Sequence, residues 1–120
     1  MRYMLLIYGD ERAWASASPE EHKEGFDDYD KYTKWLADKG WMQGGDPLAS
    51  TDQATTVRVQ GQETLTTDGP FAETKEQLGG YYIVECDDLD QAIEAAAKCP
   101  GARYGSMEVR PIMDLEAPPA

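Results

Sequence analysis

Three carboxylates and one amine lie close together in the central part of the chain. Asp68, Glu73 and Glu76 fall within nine residues, and Lys75 stands between the two glutamates. A carboxylic acid buried beside another carboxylate has a raised pKa and can act as a general acid, whereas a carboxylate beside a cation stays ionised. The spacing therefore predicts an acid-base site with Asp68, Glu73 and Glu76 as its catalytic residues.

A structural role is the alternative interpretation of the same residues. The turn former Asp68-Gly69-Pro70 precedes the glutamates, and an aspartate at such a position often binds its own backbone. Glu73 would then pair with a basic residue such as Arg110. Both interpretations place the charged groups on a short ordered loop, which is where scaffolds commonly present functional side chains.

Candidate ligand-binding residues lie in the loop and on the neighbouring strands. Arg110 has a planar guanidinium that can bind a carboxylate or phosphate through two hydrogen bonds, although Glu108 on the same strand face is an ordinary ion-pair partner. Lys75 is a second candidate cation. Aromatic rings could form the wall of a site for a small planar ligand, or could belong to a core or dimer interface. The candidate rings are Tyr8, Trp14, Trp41, Phe71, Tyr81 and Tyr82. Of these, Tyr8, Phe71 and Tyr82 are the predicted ligand-binding residues.

Composition excludes several classes of partner and cofactor. The chain has 11 basic and 23 acidic residues and a net charge of -12, which opposes binding to nucleic acid and to anionic membranes. One histidine and two separated cysteines do not form a usual zinc site, and no glycine loop of a nucleotide-binding type is present. We therefore expect no metal and no cofactor. Cys86 and Cys99 are predicted to be reduced thiols of a cytoplasmic protein.

The elements that must position the loop can be read from local patterns. Arg2 to Tyr8 and Tyr81 to Val84 are apolar on both alternating faces, which is typical of central strands. Ser18-Pro19-Glu20-Glu21 predicts a capped helix that runs to about Lys39 and ends at Gly40. Residues 9–17 are predicted to form a loop.

The remaining segments complete an α+β pattern. Residues 55–67 predict a β-hairpin around Gly61, Asp88 predicts the start of a second helix, and residues 104–113 predict the last strand. The order is that of a ferredoxin-like βαββαβ fold with an inserted β-hairpin. Two helices can cover only one face of the sheet, so we expect a second copy of the chain to cover the other face and form a homodimer.

Several motifs together resemble the DGPF branch of the YCII-related proteins. They are residues 3–11, the run Thr67-Asp68-Gly69-Pro70-Phe71-Ala72-Glu73-Thr74-Lys75-Glu76, Gly79-Gly80-Tyr81-Tyr82 and Val109-Arg110-Pro111. The resemblance covers roughly residues 1–113 and implies a small bacterial cytosolic protein that forms a dimeric α/β barrel. We therefore predict one domain over residues 1–113, followed by a flexible tail at 114–120.

The chain departs from the broader YCII pattern in one respect. Many members carry a histidine on the first helix, facing a pocket that also holds an aspartate. Counted back from Gly40, that position falls near Tyr29, whereas His22 lies about two turns earlier. Tyrosine is a poor base near neutral pH, so we do not expect this chain to share the histidine-aspartate chemistry.

Three functions remain open at the level of the sequence. The first is a dimer that binds a small molecule in a pocket lined by the Asp68–Glu76 loop and performs acid-base catalysis there. The second is a non-catalytic accessory or regulatory protein, since genes of the resembling branch often lie beside those of extracytoplasmic-function sigma factors. The third is a structural dimer whose motif only stabilises the loop. Whether the protein is an enzyme is left open.

Overall fold

The computed structural model describes residues 1–116, which form an α+β arrangement. The strands are β1 (Arg2–Gly9), β2 (Met42–Pro47), β3 (Thr55–Gln60), β4 (Glu63–Asp68), β5 (Gln77–Glu85) and β6 (Ser106–Pro111). The helices are α1 (Glu11–Ala15), α2 (Pro19–Asp38) and α3 (Leu89–Lys98). Two short 3₁₀ turns lie at Thr51–Gln53 and Pro100–Arg103. The predicted tail is described only as far as residue 116, and residues 117–120 lie outside the described part.

Four strands form one sheet in the order β2-β5-β1-β6, and every neighbouring pair is antiparallel. β1 and β5 are the two central strands, as their apolar composition predicts. Leu5 on β1 lies opposite Tyr82 on β5 and Val109 on β6. The α+β class is confirmed, and the strand order is compatible with a ferredoxin-like fold.

The predicted start of α2 is confirmed by its hydrogen bonds. The Ser18 hydroxyl accepts from the Glu21 N–H at 3.1 Å, and a Glu21 carboxylate oxygen accepts from the Ser18 N–H at 3.0 Å. These bonds with Ser18 also lower the pKa of the Glu21 carboxyl. The helix ends before Gly40, whose φ of 77° is easily adopted only by glycine.

The predicted loop over residues 9–17 contains a short helix, α1. Asp10 caps it by accepting from the Arg12 N–H at 3.0 Å. The Trp14 ring packs so closely on α2 that a Cβ added at Gly25 would lie 2.9 Å from it. His22 Nε2 is 2.6 Å from the Trp14 carbonyl oxygen. A five-residue helix is not stable alone, so these contacts with α2 explain why sequence periodicity missed it.

The hydrophobic core lies between the sheet and the two longer helices. Leu5, Leu36 and Val84 have no exposed surface. The other members are Tyr3, Tyr32, Cys86, Ala92, Ala95, Ala96 and Cys99. Alanines in α3 let that helix approach the sheet closely. We call this side of the sheet the helical face.

The opposite side of the sheet, which we call the open face, is also rich in apolar and aromatic side chains. Alternation along β1 and β5 places Met4, Leu6, Tyr8, Tyr81 and Ile83 there. Leu6 is 9% exposed, and the other four are half-buried. The helical core uses the other alternating set of residues, so the long helices leave this face uncovered.

β3 and β4 pair as a separate two-stranded sheet, with Val57 opposite Thr66. Val57 and Val59 are 57% and 67% exposed. The Cα radius of gyration is 16.6 Å, against about 14 Å for a compact chain of this length. The molecule is therefore less compact than an ordinary domain of this length.

Within residues 1–116, none of the helices combines the length and the apolar character needed to cross a membrane.

Candidate functional site

Strand pairing brings the short helix and the motif loop to the same end of the sheet. Gly9 at the end of β1 lies opposite Gln77 at the start of β5, so α1 lies beside residues 69–76. The Gln77 side-chain oxygen accepts from the Glu11 N–H at 3.1 Å, and its amide nitrogen donates to the Thr74 carbonyl at 2.6 Å. Gln77 thus joins the first turn of α1 to the motif loop.

The Glu11 carboxylate holds α1 from another direction. It accepts from the Thr51 N–H at 3.0 Å and from the Thr51 hydroxyl. Because both of its oxygens bind Thr51, Glu11 fixes α1 to the Thr51–Gln53 turn. The base of the site is therefore built from three segments that are distant in sequence.

A groove of about 320 Å³ lies between α1 and the motif loop. We call it the loop groove. It is lined by Glu11, Arg12, Pro70, Ala72, Glu73, Thr74 and Gln77.

The charged groups of the loop groove differ in how strongly they are held. Arg12 Nε is 3.7 Å from Asp10 Oδ1, and both side chains are largely exposed, so the pair is weak and the guanidinium can bind another anion. Within residues 1–116, the Glu73 side chain forms no hydrogen bond or ion pair. Among the described residues, the groove therefore offers a weakly held guanidinium and a carboxylate without a hydrogen-bond or ion-pair partner.

The three predicted catalytic carboxylates have different surroundings. Glu73 lines the loop groove, but Asp68 and Glu76 do not. Asp68 ends β4 as an exposed residue, and Gly69 continues the chain with a φ of 97°. Glu76 accepts a hydrogen bond from the Ser106 hydroxyl at 2.8 Å. Among the described residues, no hydrogen bond joins any two of the three carboxylates, so the acid-base assignment stays a prediction.

The predicted ligand-binding residues lie in three separate places. Lys75 and Phe71 are exposed on the loop, Phe71 by 81%. On the open face, Tyr8 donates to Glu108 at 3.5 Å. Arg110 Nε donates to the same carboxylate at 2.8 Å, so its guanidinium already has an anionic partner.

Tyr82, the remaining predicted ligand-binding residue, lies on the helical face. Its hydroxyl is 2.8 Å from the Thr33 hydroxyl oxygen. Tyr8 and Tyr82 are thus on opposite sides of the sheet and cannot line the same wall.

Tyr29, near the position where the YCII resemblance implies a histidine in many members, is half-buried against the helical core. Burial raises the pKa of the Tyr29 hydroxyl, and the neighbouring Cys99 raises it further. The Cys99 thiol lies 3.9 Å from that hydroxyl, and burial raises the pKa of the thiol as well. Both groups therefore stay protonated near neutral pH, and neither is suited to act as a base.

Glu11, Arg12 and Gln77 are site residues that the sequence analysis did not select. A signal for them existed, because Asp10-Glu11-Arg12 directly follows one central strand and Gln77 begins the other. Only the antiparallel pairing of these two strands shows that both ends meet.

The antiparallel order β2-β5-β1-β6, with its helices on one face, defines an α+β protein compatible with the ferredoxin-like class. Residues 1–116 match the YCII-related domain, and the chain belongs to this family. It is also similar to an uncharacterised protein of Rhizobium meliloti (strain 1021), with 38% identity over 114 residues, covering 93% of this chain and 92% of that protein. The predicted YCII relationship is confirmed, and the assignment to the DGPF branch stays a prediction.

Proposed function

We propose that the protein binds a small polar molecule in the loop groove. The observation that carries this proposal is the groove itself, which combines about 320 Å³ of space with a weakly held guanidinium and an unpaired carboxylate. Arg12 would bind an anionic group of the ligand through paired N–H donors. Glu73 would accept a hydrogen bond from a hydroxyl or amine at the other end.

Glu73 is also the residue on which acid-base catalysis would depend. It is the predicted catalytic carboxylate that lines the groove within the described residues. A ligand in the groove would place its own donor groups within hydrogen-bond reach of this carboxylate, which is the geometry that proton transfer needs. Binding is therefore the primary proposal, and proton transfer by Glu73 is its extension. No contact in the described residues favours the regulatory alternative.

A thermal-shift screen with a broad set of polar metabolites tests the binding proposal. A ligand at 100 times its Kd stabilises the folded state by about 2.7 kcal/mol. We expect one or more ligands to raise the Tm of the natural protein but not that of Arg12→Gln or Glu73→Gln.

Matched controls come from the exposed hairpin, which does not line the groove. Arg58→Gln and Glu63→Gln remove the same charges, and both variants should keep the ligand response. Loss of the response in these variants as well would show a general charge effect. No response from the natural protein to any ligand would contradict the proposal.

We further propose that the protein is a homodimer of the DGPF branch that buries its open face, as in a dimeric α/β barrel. The open face has an apolar centre, and its polar groups are paired at the sides: Tyr81 donates to Asp46 at 2.7 Å, and Arg110 pairs with Glu108. An apolar centre with a satisfied polar rim is typical of protein interfaces. The projecting hairpin, with its exposed valines, would also find contacts in such a dimer.

Light scattering after size-exclusion chromatography tests this assembly. The natural protein should elute as a dimer, and Met4→Glu should elute as a folded monomer because it places a charge within the open face. Ile93→Glu introduces the same side chain on the exposed surface of α3 and should remain dimeric. A monomeric natural protein, or equal dissociation of both variants, would contradict the assembly.

A further inference from the structure

A second groove lies on the outer side of the helical layer. It has a volume of about 230 Å³ and is formed by α2, the end of α3 and the Pro100–Arg103 turn. We call it the helix groove. Its lining residues are Asp28, Lys31, Tyr32, Trp35, Lys98, Pro100 and Arg103.

The charge of the helix groove is opposite to that of the whole chain. Lys31, Lys98 and Arg103 contribute three positive charges and Asp28 one negative charge, which leaves a formal charge of +2. The chain as a whole has a charge of -12. Cations gathered in a concave surface repel one another unless an anion joins them. A local positive potential of this kind favours an anionic ligand.

Trp35 supplies an aromatic wall beside these cations. Its ring is stacked on Tyr32 at a centroid distance of 6.1 Å and an angle of 20°, and it meets the Trp41 ring edge-on at 5.7 Å. Lys98 Nζ lies 5.7 Å from the centre of the Trp35 ring. Lys39 Nζ also lies 5.6 Å from the centre of the Trp35 ring. The two other rings hold the Trp35 plane in place, so a planar group that displaced a lysine from the ring would find a fixed stacking partner.

Arg103 is oriented but not strongly bound. Its guanidinium is 3.4 Å from Asp28 and lies over the Tyr104 ring, with 5.6 Å to the centre. The Arg103 and Asp28 side chains are 61% and 42% exposed, so their ion pair contributes little to stability. Arg103 can therefore leave the Asp28 carboxylate and bind that of a ligand without a large loss of protein stability.

We propose that the helix groove is a second binding site, separate from the loop groove, for small anions that carry a planar ring. The anionic group would bind among Lys31, Lys98 and Arg103, and the ring would stack on Trp35. An aromatic carboxylate and a nucleoside monophosphate share this chemistry. Because the groove lies on the helical side of the sheet, a dimer formed through the open face would leave it accessible.

Nuclear magnetic resonance of the tryptophan indoles provides a direct test. The chain has three tryptophans, and a Trp35→Phe variant assigns the Trp35 indole signal by its disappearance. The protein is titrated at constant ionic strength with benzoate, adenosine monophosphate and inorganic phosphate. We expect benzoate, adenosine monophosphate or both to shift the Trp35 signal saturably, to leave the Trp14 signal in place, and to bind more tightly than phosphate. The probe with the lower Kd shows whether the groove prefers an aromatic carboxylate or a nucleoside monophosphate.

Charge variants then locate the binding. Lys98→Gln and Arg103→Gln should each raise the Kd about tenfold, since each removes a hydrogen bond to the charged group of the ligand. Lys34→Gln removes the same charge from α2 at a position that does not line the groove, and it should change the Kd less than twofold. Glu73→Gln, in the loop groove, should leave this titration unchanged.

Three results would overturn the proposal. The first is a Trp35 signal that none of the three probes moves. The second is an equal loss of affinity in Lys34→Gln and Lys98→Gln, which would show that only the overall charge matters. The third is tighter binding of inorganic phosphate than of either ring-bearing probe, which would show that Trp35 does not stack on the ligand.

Discussion

The two faces of the four-stranded sheet carry similar numbers of large apolar residues but differ in how they are covered. On the helical face, Tyr3, Leu5 and Val84 are 3%, 0% and 0% exposed. On the open face, Tyr8 and Ile83 remain half-buried. The comparison shows that one chain covers the helical face more completely than the open face.

The polar groups of the two faces also differ in their exposure to solvent. On the helical side, the Tyr32 hydroxyl donates to the Ala95 carbonyl at 2.7 Å and is closed off from water by packing. On the open face, Tyr81 and Asp46 form an equally short bond that is exposed to solvent. A buried polar group must find its partner within the chain, whereas an exposed one can exchange it for water or for another subunit.

The neighbouring residues Leu5 and Leu6 provide the strongest test of this difference, because they point to opposite faces. Leu5→Ala should lower the free energy of unfolding by about 2–5 kcal/mol at any protein concentration, since it leaves a cavity in the helical core. Leu6 is 9% exposed within one chain, so Leu6→Ala should also lower the free energy of unfolding, and the proposed dimer would add a part of that loss that depends on protein concentration. Urea unfolding at two concentrations differing by a factor of about 100 measures both effects.

If Leu5→Ala and Leu6→Ala lose the same free energy of unfolding at both protein concentrations, the proposed difference between the two faces is wrong. Such a result would mean that the whole loss at Leu6 arises within a single chain and that the open face has no partner.

Alkaline pH should weaken the helical face in particular. Burial raises the pKa of Tyr29 and Tyr32 in the folded protein, whereas an unfolded tyrosine ionises at about pH 10. Above that pH the unfolded state releases these protons first, so the stability that the two tyrosines contribute is fully present below about pH 10 and falls as the pH rises further. Cys99 adds to this loss from about pH 8.5, since burial raises its pKa too.

Urea midpoints measured between pH 7 and pH 11 check this sign. The free energy of unfolding of Tyr32→Phe should fall less steeply above pH 10 than that of the natural protein. At pH 7 it should be about 1 kcal/mol lower, because the variant loses the hydrogen bond to the Ala95 carbonyl. The control Tyr104→Phe changes a tyrosine that is 81% exposed and should keep the natural slope. A Tyr32→Phe slope identical to that of the natural protein would refute the linkage.

The smallest expected effect concerns the cap that starts α2 and so anchors the helical layer. Ser18→Ala removes the hydroxyl that accepts from the Glu21 N–H and should cost about 1 kcal/mol. Ser18→Thr keeps a hydroxyl and should cost only a few tenths of that amount. Thermal unfolding of both variants measures the difference, and equal losses would show that the cap contributes nothing specific.

Much of the fold could be predicted from short-range patterns. The start of α2 depends on Ser18 and Glu21, which are three residues apart, so the sequence shows the bond almost directly. The central strands were recognisable because β1 and β5 are apolar on both faces. The same method missed α1, because its stability comes from the contact between Trp14 and α2 rather than from its own five residues.

The candidate site was less predictable than the fold. The motif drew attention to Asp68, Glu73 and Glu76 as a group, yet only Glu73 lines the loop groove. Arg12 lies far from the motif in sequence and reaches it because β1 and β5 are antiparallel neighbours. Nothing in the local pattern distinguishes such a residue from any other exposed arginine.

The sequence by itself determined the α+β class, the caps, the central strands and the family, because each depends on residues close together or on a motif read in order. Only the tertiary structure decided which charges meet. The loop groove exists because the end of β1 lies beside the start of β5. The helix groove exists because Lys31 of α2 and Lys98 of α3 line the same cavity. Electrostatic and stacking interactions act over a few ångströms of space, and the separation along the chain does not predict that distance.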